Sequence, residues 1–276
     1  GGGAGGEAGD GSGRLAGVDR AGEQQVWVVI PALNEERAIR GVVQAVLAQG
    51  ARVVVIDDGS SDATAARIAD LPVTVLRHER PQGKARGLLD GFRAALDAGC
   101  EGVVTMDGDG QHDAADVPRL VAAAQRHPGH IVIGARLVEH DHQPGARRFG
   151  NRQADFWVSW ACGQRIVDTQ SGQRYYPRAA MELALSLPDA GFVFESEVLI
   201  EAAARGIRAV SVPIAIRYEE GARPSHFRPF RDVLRIVRMI AWKLIRGGLK
   251  LPSLVRALTV PALVWDPGAG GAAPQS

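Results

Sequence analysis

Cysteine is nearly missing from this chain: Cys100 and Cys162 are its two, far apart and in no CxxC pair. That excludes a disulfide framework and a cysteine-built zinc site, and it suits a reducing compartment. Net charge is nearly missing too. Lys and Arg total 32 against 31 Asp and Glu, leaving +1, so no global field draws the chain to nucleic acid. No uncharged apolar run is long enough for a membrane-spanning helix. The start, GGGAGGEAGDGSG, lacks the apolar stretch of a signal peptide. These absences predict a cytoplasmic protein that is soluble or bound to a membrane surface at most. Two phosphate signatures are also lacking. No G-x-G-x-x-G follows the first apolar run, and PQGKARG is not the G-x-x-x-x-G-K-[ST] of a P-loop.

What is present is enough apolar material for a sizeable core, 46% of 276 residues, hence one large domain or one domain with appendages. Residues 1–24 are Gly-rich and have little to bury, which predicts disorder. The tail 257–276, ending DPGAGGAAPQS, reads the same way. Residues 25–227 form the expected catalytic domain. Within it, short β-branched runs alternate with helical patterns: VWVVI, RVVVID, VTVLR, GVVTMD and HIVIG, each followed by a polar loop. Runs apolar on both faces suit buried parallel strands. The repeated units predict an α/β fold, a mostly parallel doubly wound sheet flanked by helices. A further strand is expected in IRAVSVPIAI. The segment 228–256 is basic and helical: Arg228, Arg231, Arg235, Arg238, Lys243, Arg246, Lys250 and Arg256 face one acid, Asp232. With Trp242 at mid-length it reads either as an interfacial anchor on anionic lipid or as a helix packed on the sheet with a solvated basic face.

In such a sheet ligands sit beyond the carboxyl ends of the strands. The informative loop there is DGDGQHD, with Asp107, Asp109 and Asp113 within seven positions. It is no EF-hand, because His112 stands at the Gly position and Pro118 at the Glu position. An Asp-x-Asp at a strand end can hold Mg²⁺ or Mn²⁺ with a few protein oxygens; the alternative is an acidic helix-capping turn. Asp113 is assigned the helix-starting role in both readings, and an unseen cation is expected to relieve the repulsion. In DDGSSDAT, Ser61 or Asp62 caps a helix starting near Ala63, which leaves the Asp57–Asp58 pair unexplained. A strand-end carboxylate can accept a nucleobase N–H. In PALNEE, Asn34 is a good N-cap, with Glu35 and Glu36 in the first turn. Lys84 and Arg86 in PQGKARG stand near a helix start and either attract phosphate or are solvated.

Together VVIPALNEE, VVVIDDGSSD, GKARG, VVTMDGDGQHD and IVIGAR resemble, in order and spacing, family 2 glycosyltransferases. DTQSGQRYYPR, FVFESEVLIEAAARG and VPIAIRYEEGARPSHFR resemble the branch that holds dolichol-phosphate mannose synthase and polyprenyl-phosphate sugar transferases. The resemblance spans roughly residues 26–240. It implies a GT-A fold and sugar transfer, with inversion, from a nucleotide-sugar donor to a lipid-linked phosphate. It implies Pro31, Glu35 and Asp58 around the nucleoside, Lys84 near the donor phosphates, and Asp107, Asp109 and Gln111 around ribose and metal. Arg136 would contact phosphate or sugar. Arg147, Arg148, Arg217, Arg223 and His226 would meet the acceptor or diphosphate. The chain departs from the family at Leu33, where an aromatic is usual, at Gln173 in Gly-Gln-Arg, and at His226 in place of a lysine. The usual pair of C-terminal membrane helices has no counterpart.

A lipid phosphate is ionised near neutrality and needs no strong base. A hydroxyl acceptor would need a carboxylate to take its proton: Glu197, with Glu195 and Asp168 behind it. The alternative for Glu197 is a salt bridge within its own helix. A nucleotidyltransferase shares the architecture but would want a Gly-rich, basic loop after the first strand, which PALNEE is not. Nothing in the sequence sets the oligomeric state.

Overall fold

The computed structural model describes residues 26–137, 145–188, 191–215, 229–246 and 248–267, without the side chains of 145–148, 192, 229–233 and 236. Its elements are β1 Trp27–Ala32, α1 Ile39–Leu47, β2 Arg52–Asp57, β3 Thr74–Arg77, α2 Lys84–Asp97, β4 Gly102–Thr105, α3 Val117–Arg126, β5 Ile131–Ala135, α4 Gly145–Cys162, β6 Arg174–Pro177, α5 Arg178–Ser186, α6 Phe194–Ala204, β7 Ala209–Pro213, α7 Pro229–Arg246 and α8 Leu251–Thr259. One seven-stranded sheet runs β3-β2-β1-β4-β6-β5-β7. Six strands are parallel; β6 is antiparallel to β4 and β5.

Side chains alternate across each strand and so feed two cores. Val29, Val54 and Ile56 pack with Leu88 and Phe92 of α2, Val158 of α4, Met181 of α5 and Val198 of α6. Val28, Ile30, Val53 and Val55 pack with Ile39 and Val43 of α1 and Leu120 of α3. Both faces are therefore covered, which is why the strands read as continuous apolar runs.

Four expectations are corrected. Asn34 does not cap α1, which begins at Ile39 behind Ala38; Asn34 sits at φ 57° and its Oδ1 accepts the Ser61 N–H. No helix follows at Ala63, only turns and one 3₁₀ turn, Ala66–Ile68. There Asp62 bonds the Thr64 N–H and hydroxyl, and such local bonds compete with helix. The basic segment is two helices, not one, because Leu249 (φ 58°) and Lys250 (φ 39°) turn left-handed between them. Ile240 and Leu244 of α7 also join the sheet's own core, so the segment is no separate unit. Finally, residues 257–267 are not featureless: α8 ends at Thr259, and Val264 bridges to Ser211 of β7. Residues 1–24 and 268–276 lie outside the described residues. No helix among the described residues is long and apolar enough to cross a membrane.

Candidate active site

The parallel strands deliver their following loops to one edge of the sheet, and the first two loops are laced together. Asn34 N–H donates to Ser60 Oγ (2.9 Å), Glu35 N–H to Thr64 Oγ1 (2.8 Å) and Glu36 N–H to Asp62 Oδ2 (3.2 Å). Ala63 N–H returns a bond to Glu36 Oε2 (3.2 Å). This explains the Ser, Asp and Thr of DDGSSDAT as loop fasteners. Gly59 is required where it stands: φ is 72°, and a Cβ would lie 2.6 Å from the Arg80 carbonyl carbon.

The two aspartates ending β2 have separate partners. Asp57 is fully buried, accepts the Ser60 N–H (2.9 Å) and faces Arg77 Nε at 3.2 Å. Asp58 accepts from the Gln82 and Gly83 N–H groups (2.7 and 2.8 Å) and lies 2.7 Å from His78 Nδ1. His78 Nε2 faces Asp90 Oδ2 at 3.1 Å, which also takes Arg86 Nε at 2.9 Å. Asp58 thus pins the turn that launches α2. A cleft of about 410 Å³ opens beside it, lined by Gly59, Ser60, Arg77, His78 and Glu79.

That pinned turn aims Lys84, the first residue of α2, at the loop after β4. Its Nζ lies 2.7 Å from Asp107 Oδ1 and 3.2 Å from Glu195 Oε2. Burial works against the ammonium, but the Asp107 and Glu195 charges outweigh it and raise its pKa above the usual lysine range. Burial likewise pushes Asp107 up, yet Lys84 and then His112 bring it below the usual carboxylate range. The cation that relieves the acidic loop is therefore carried by the chain itself. Gly172 makes the pairing possible, because a Cβ there would sit 2.3 Å from Asp107 Oδ2 and 2.9 Å from Lys84 Nζ.

Asp109 is different. Its bond among the described residues is from the Gln111 N–H (3.0 Å), and burial, then the Asp107 charge, pushes its carboxyl up. Asp107, Asp109 and Gln111 offer hard oxygens from one loop, one of them a carboxylate short of positive charge. That donor set fits Mg²⁺ or Mn²⁺. Gly108 lets the loop approach β1, where a Cβ would stand 3.4 Å from the Pro31 carbonyl oxygen. Asp113 accepts the Ala115 N–H (3.0 Å) and opens the turn leading into α3.

Arg136 follows β5 and is buried. Its Nε and Nη2 clasp Asp168 at 2.6 and 2.5 Å, and its N–H donates to the same carboxylate at 2.9 Å. Asp168 stands at φ 56°. Asp155 of α4 holds that turn, accepting from the Asp168 N–H (3.1 Å), the Thr169 N–H (2.7 Å) and the Thr169 hydroxyl (2.7 Å). Burial, then the Asp168 charge, pushes the Asp155 carboxyl up to about 6. Arg174 is fully buried and donates to the carbonyls of Ser171, Thr169 and Glu195 (2.8, 2.6 and 3.2 Å).

The structure thus brings Lys84, Asp107, Asp109, Gln111 and Pro31 into one neighbourhood. It brings Glu195, not Glu197, to Lys84. Glu197 pairs with Lys243 of α7 at 2.8 Å, beside Glu201 at 2.5 Å, so its salt bridge runs between helices rather than within its own. Arg147 and Arg148 are on the first turn of α4, their side chains undescribed, and Arg217, Arg223 and His226 lie outside the described residues. Sequence reasoning missed His78, Asp90, Asp155, Gly172 and Arg174. Only the Gly-Gln-Arg triplet offered a signal, a small residue and a cation just before an apolar pair.

Residues 27–181 match the family model described as "Glycosyl transferase family 2". The UDP-N-acetylglucosamine–dolichyl-phosphate N-acetylglucosaminyltransferase of Methanococcus voltae is 26% identical over 72% of this chain and 88% of its own. The polyprenol monophosphomannose synthase of Mycolicibacterium smegmatis is 29% identical over 71% of this chain and 79% of its own. Among solved structures, glucosyl-3-phosphoglycerate synthase from Mycobacterium tuberculosis, in complex with Mn²⁺, UDP-glucose and phosphoglyceric acid, superposes with a TM-score of 0.60 at 23% identity. That match covers 81% of this chain and 80% of the other. The likeness shows a shared fold, the mixed, mostly parallel GT-A sheet.

Proposed function

The chain belongs to glycosyltransferase family 2 and is a glycosyltransferase, and from that premise we propose that it moves a sugar from a nucleoside diphosphate sugar to a lipid-linked phosphate, with inversion and with Mg²⁺ or Mn²⁺ bound. The observation that carries this reading is the meeting of Lys84 with the Asp107–Asp109–Gln111 loop at the carboxyl edge of the sheet. Carboxylate oxygens for a cation next to an ammonium for phosphate are what a diphosphate leaving group requires. The bound metal supplies electrostatic stabilisation of the charge developing on that leaving group. Lys84 adds a second positive charge from the protein. Pro31 and Glu35 border the nucleoside, and Asp58 fixes the loop around it. Arg136, held in place by Asp168, is assigned to the donor's phosphate or sugar. Arg147, Arg148, Arg217, Arg223 and His226 are assigned to acceptor or diphosphate.

A phosphate acceptor is favoured over a hydroxyl by the carboxylates themselves. Glu195 faces Lys84 and Glu197 faces Lys243, so each carboxylate is already engaged by an ammonium of the chain. An acceptor already ionised needs neither. The two relatives are named for dolichyl-phosphate and polyprenol chemistry, which supports the same choice.

A lipid acceptor calls for a lipid-facing surface, and α7 and α8 supply the materials for peripheral attachment to the inner face of a membrane. Trp242 (56% exposed), Ile245 (63%), Leu251 (62%), Val255 and Leu258 all present side chains to solvent. Arg246 stacks 4.5 Å over the Trp242 ring. No acid occurs between Asp232 and Asp266. The Trp160 indole of α4 ties the corner between the helices by donating to the Leu249 carbonyl (3.1 Å). Apolar side chains among basic residues suit an anionic bilayer.

Two experiments test the reading. Asp109→Ala should abolish Mn²⁺- or Mg²⁺-dependent donor turnover and the thermal shift that donor plus metal gives; unchanged turnover would remove the metal. Protein should sediment with vesicles containing anionic lipid, and a Trp242→Ala, Ile245→Ala double variant should not. Equal recovery in the supernatant with neutral and anionic vesicles would remove the membrane.

A further inference from the structure

Lys84 has two carboxylate partners, and only one of them belongs to the Asp-x-Asp loop. The other, Glu195, opens α6 and comes from far along the chain. Its Oε2 faces Lys84 at 3.2 Å. Its Oε1 is buried, has no hydrogen-bond partner among the described residues, and lies 4.0 Å from Arg174 Nε. Glu195 is therefore held between two cations and, among the described residues, by no neutral donor, as suits an anchor for charge. Gly172 keeps the space around Asp107 and Lys84 clear.

An ammonium 2.7 Å from Asp107 Oδ1 and a divalent ion on the same carboxylate would stand within a few ångströms of each other. Like charges that close repel strongly in a partly buried site. Asp109 alone, bonded only to the Gln111 N–H among the described residues, gives a cation a weak hold. A diphosphate changes this balance, because it offers Lys84 an anion to turn to and offers the metal further oxygens. Glu195 keeps Lys84 within reach of both positions.

We infer that Lys84, parked between Asp107 and Glu195, is the resident counter-ion of this site, and that it must turn from Asp107 to the donor diphosphate before a divalent ion is held firmly. Metal and nucleotide then bind as a unit, and Glu195 is a positioning residue that acts through Lys84. The inference rests on the metal reading of the Asp107–Asp109 loop.

The test is an electron paramagnetic resonance titration of Mn²⁺ into the whole protein, alone and with saturating UDP or GDP. Wild type should bind Mn²⁺ weakly alone and at least tenfold more tightly with the matching nucleotide. Lys84→Met and Lys84→Gln should each raise nucleotide-free Mn²⁺ affinity at least fivefold and shrink the gain that nucleotide brings. Lys84→Arg should restore the wild-type pattern. If Lys84 were only structural, both neutral variants would melt earlier while the nucleotide-free isotherm stayed put, and the inference would be overturned. Wild type that binds Mn²⁺ with nucleotide, alongside neutral variants that gain nothing, sinks the counter-ion role and leaves the metal reading standing. No Mn²⁺ binding by any form, with or without nucleotide, sinks both.

Discussion

Replacing Asp155 by Asn should alter how stability varies with pH. Asp155 holds the turn that presents Asp168 to Arg136, and its carboxyl is pushed up from 3.8 to about 6 by burial and by the Asp168 charge. Between those values the folded protein keeps a proton that the unfolded chain has released. The native state then binds more protons, so stability falls as pH rises through the window from about 4 to about 6. Two units at about 1.36 kcal/mol each set a ceiling of about 3 kcal/mol. Asp155 as a residue is partly exposed, and solvent screening lowers the expectation to about 2 kcal/mol. Asparagine holds the uncharged state at every pH. The stability of Asp155→Asn minus that of wild type should therefore climb by about 2 kcal/mol from pH 4 to pH 7, or about 4–8 °C in Tm. Asp109 and Asp116, pushed up by burial, and His112, pushed down by it, are common to both proteins and cancel. Urea melts followed by circular dichroism at half-unit pH steps give the curves. Curves parallel within about 0.5 kcal/mol, within ordinary extrapolation error, would refute the claim that Asp168 and burial load this carboxylate.

Other expectations concern the neighbouring residues. Gly172→Ala puts a methyl on the Asp107 carboxylate and should weaken UDP or GDP binding in Mn²⁺ about tenfold, near 1.4 kcal/mol by calorimetry; unchanged affinity would take Gly172 out of the site. Glu197→Gln removes one of two carboxylates facing Lys243, whose ammonium burial opposes and Glu197 and Glu201 sustain. It should cost about 1 kcal/mol of stability, and Glu195→Gln should instead raise the donor KM. A hundredfold loss of turnover in Glu197→Gln with Tm unchanged would return the proton-accepting role to Glu197.

The sheet was legible because its strands are buried on both faces. Val53–Ile56 and Ile131–Ile133 are solidly apolar, and such runs need only composition to be seen. The place of Asp107 and Asp109 just beyond a strand was legible for a related reason, since the apolar run stops abruptly at charge. Strand β6 was not. Its four residues begin with Arg174, and burying an arginine makes sense only once the Ser171, Thr169 and Glu195 carbonyls are seen around it. The pairing of Lys84 with Glu195, and of Arg136 with Asp168, joins segments distant in sequence. No local pattern announces such partners. Asn34 shows the opposite failure: a residue with strong local preference for a cap was claimed by a neighbouring loop.

Strand β7 is the last in the sheet, and its outer side would face water with its peptide groups bare. Ser211 instead gives its N–H to the Leu263 carbonyl and takes the Trp265 N–H, both at 2.9 Å, while Trp265 packs against the core beneath. Bare strand edges recruit other chains into mixed sheets. The stretch from Leu263 to Trp265 thus works as a selvedge along part of that edge. A chain cut after Thr259 should still melt cooperatively, yet light scattering should show it clumping on storage at concentrations where the longer chain stays clear.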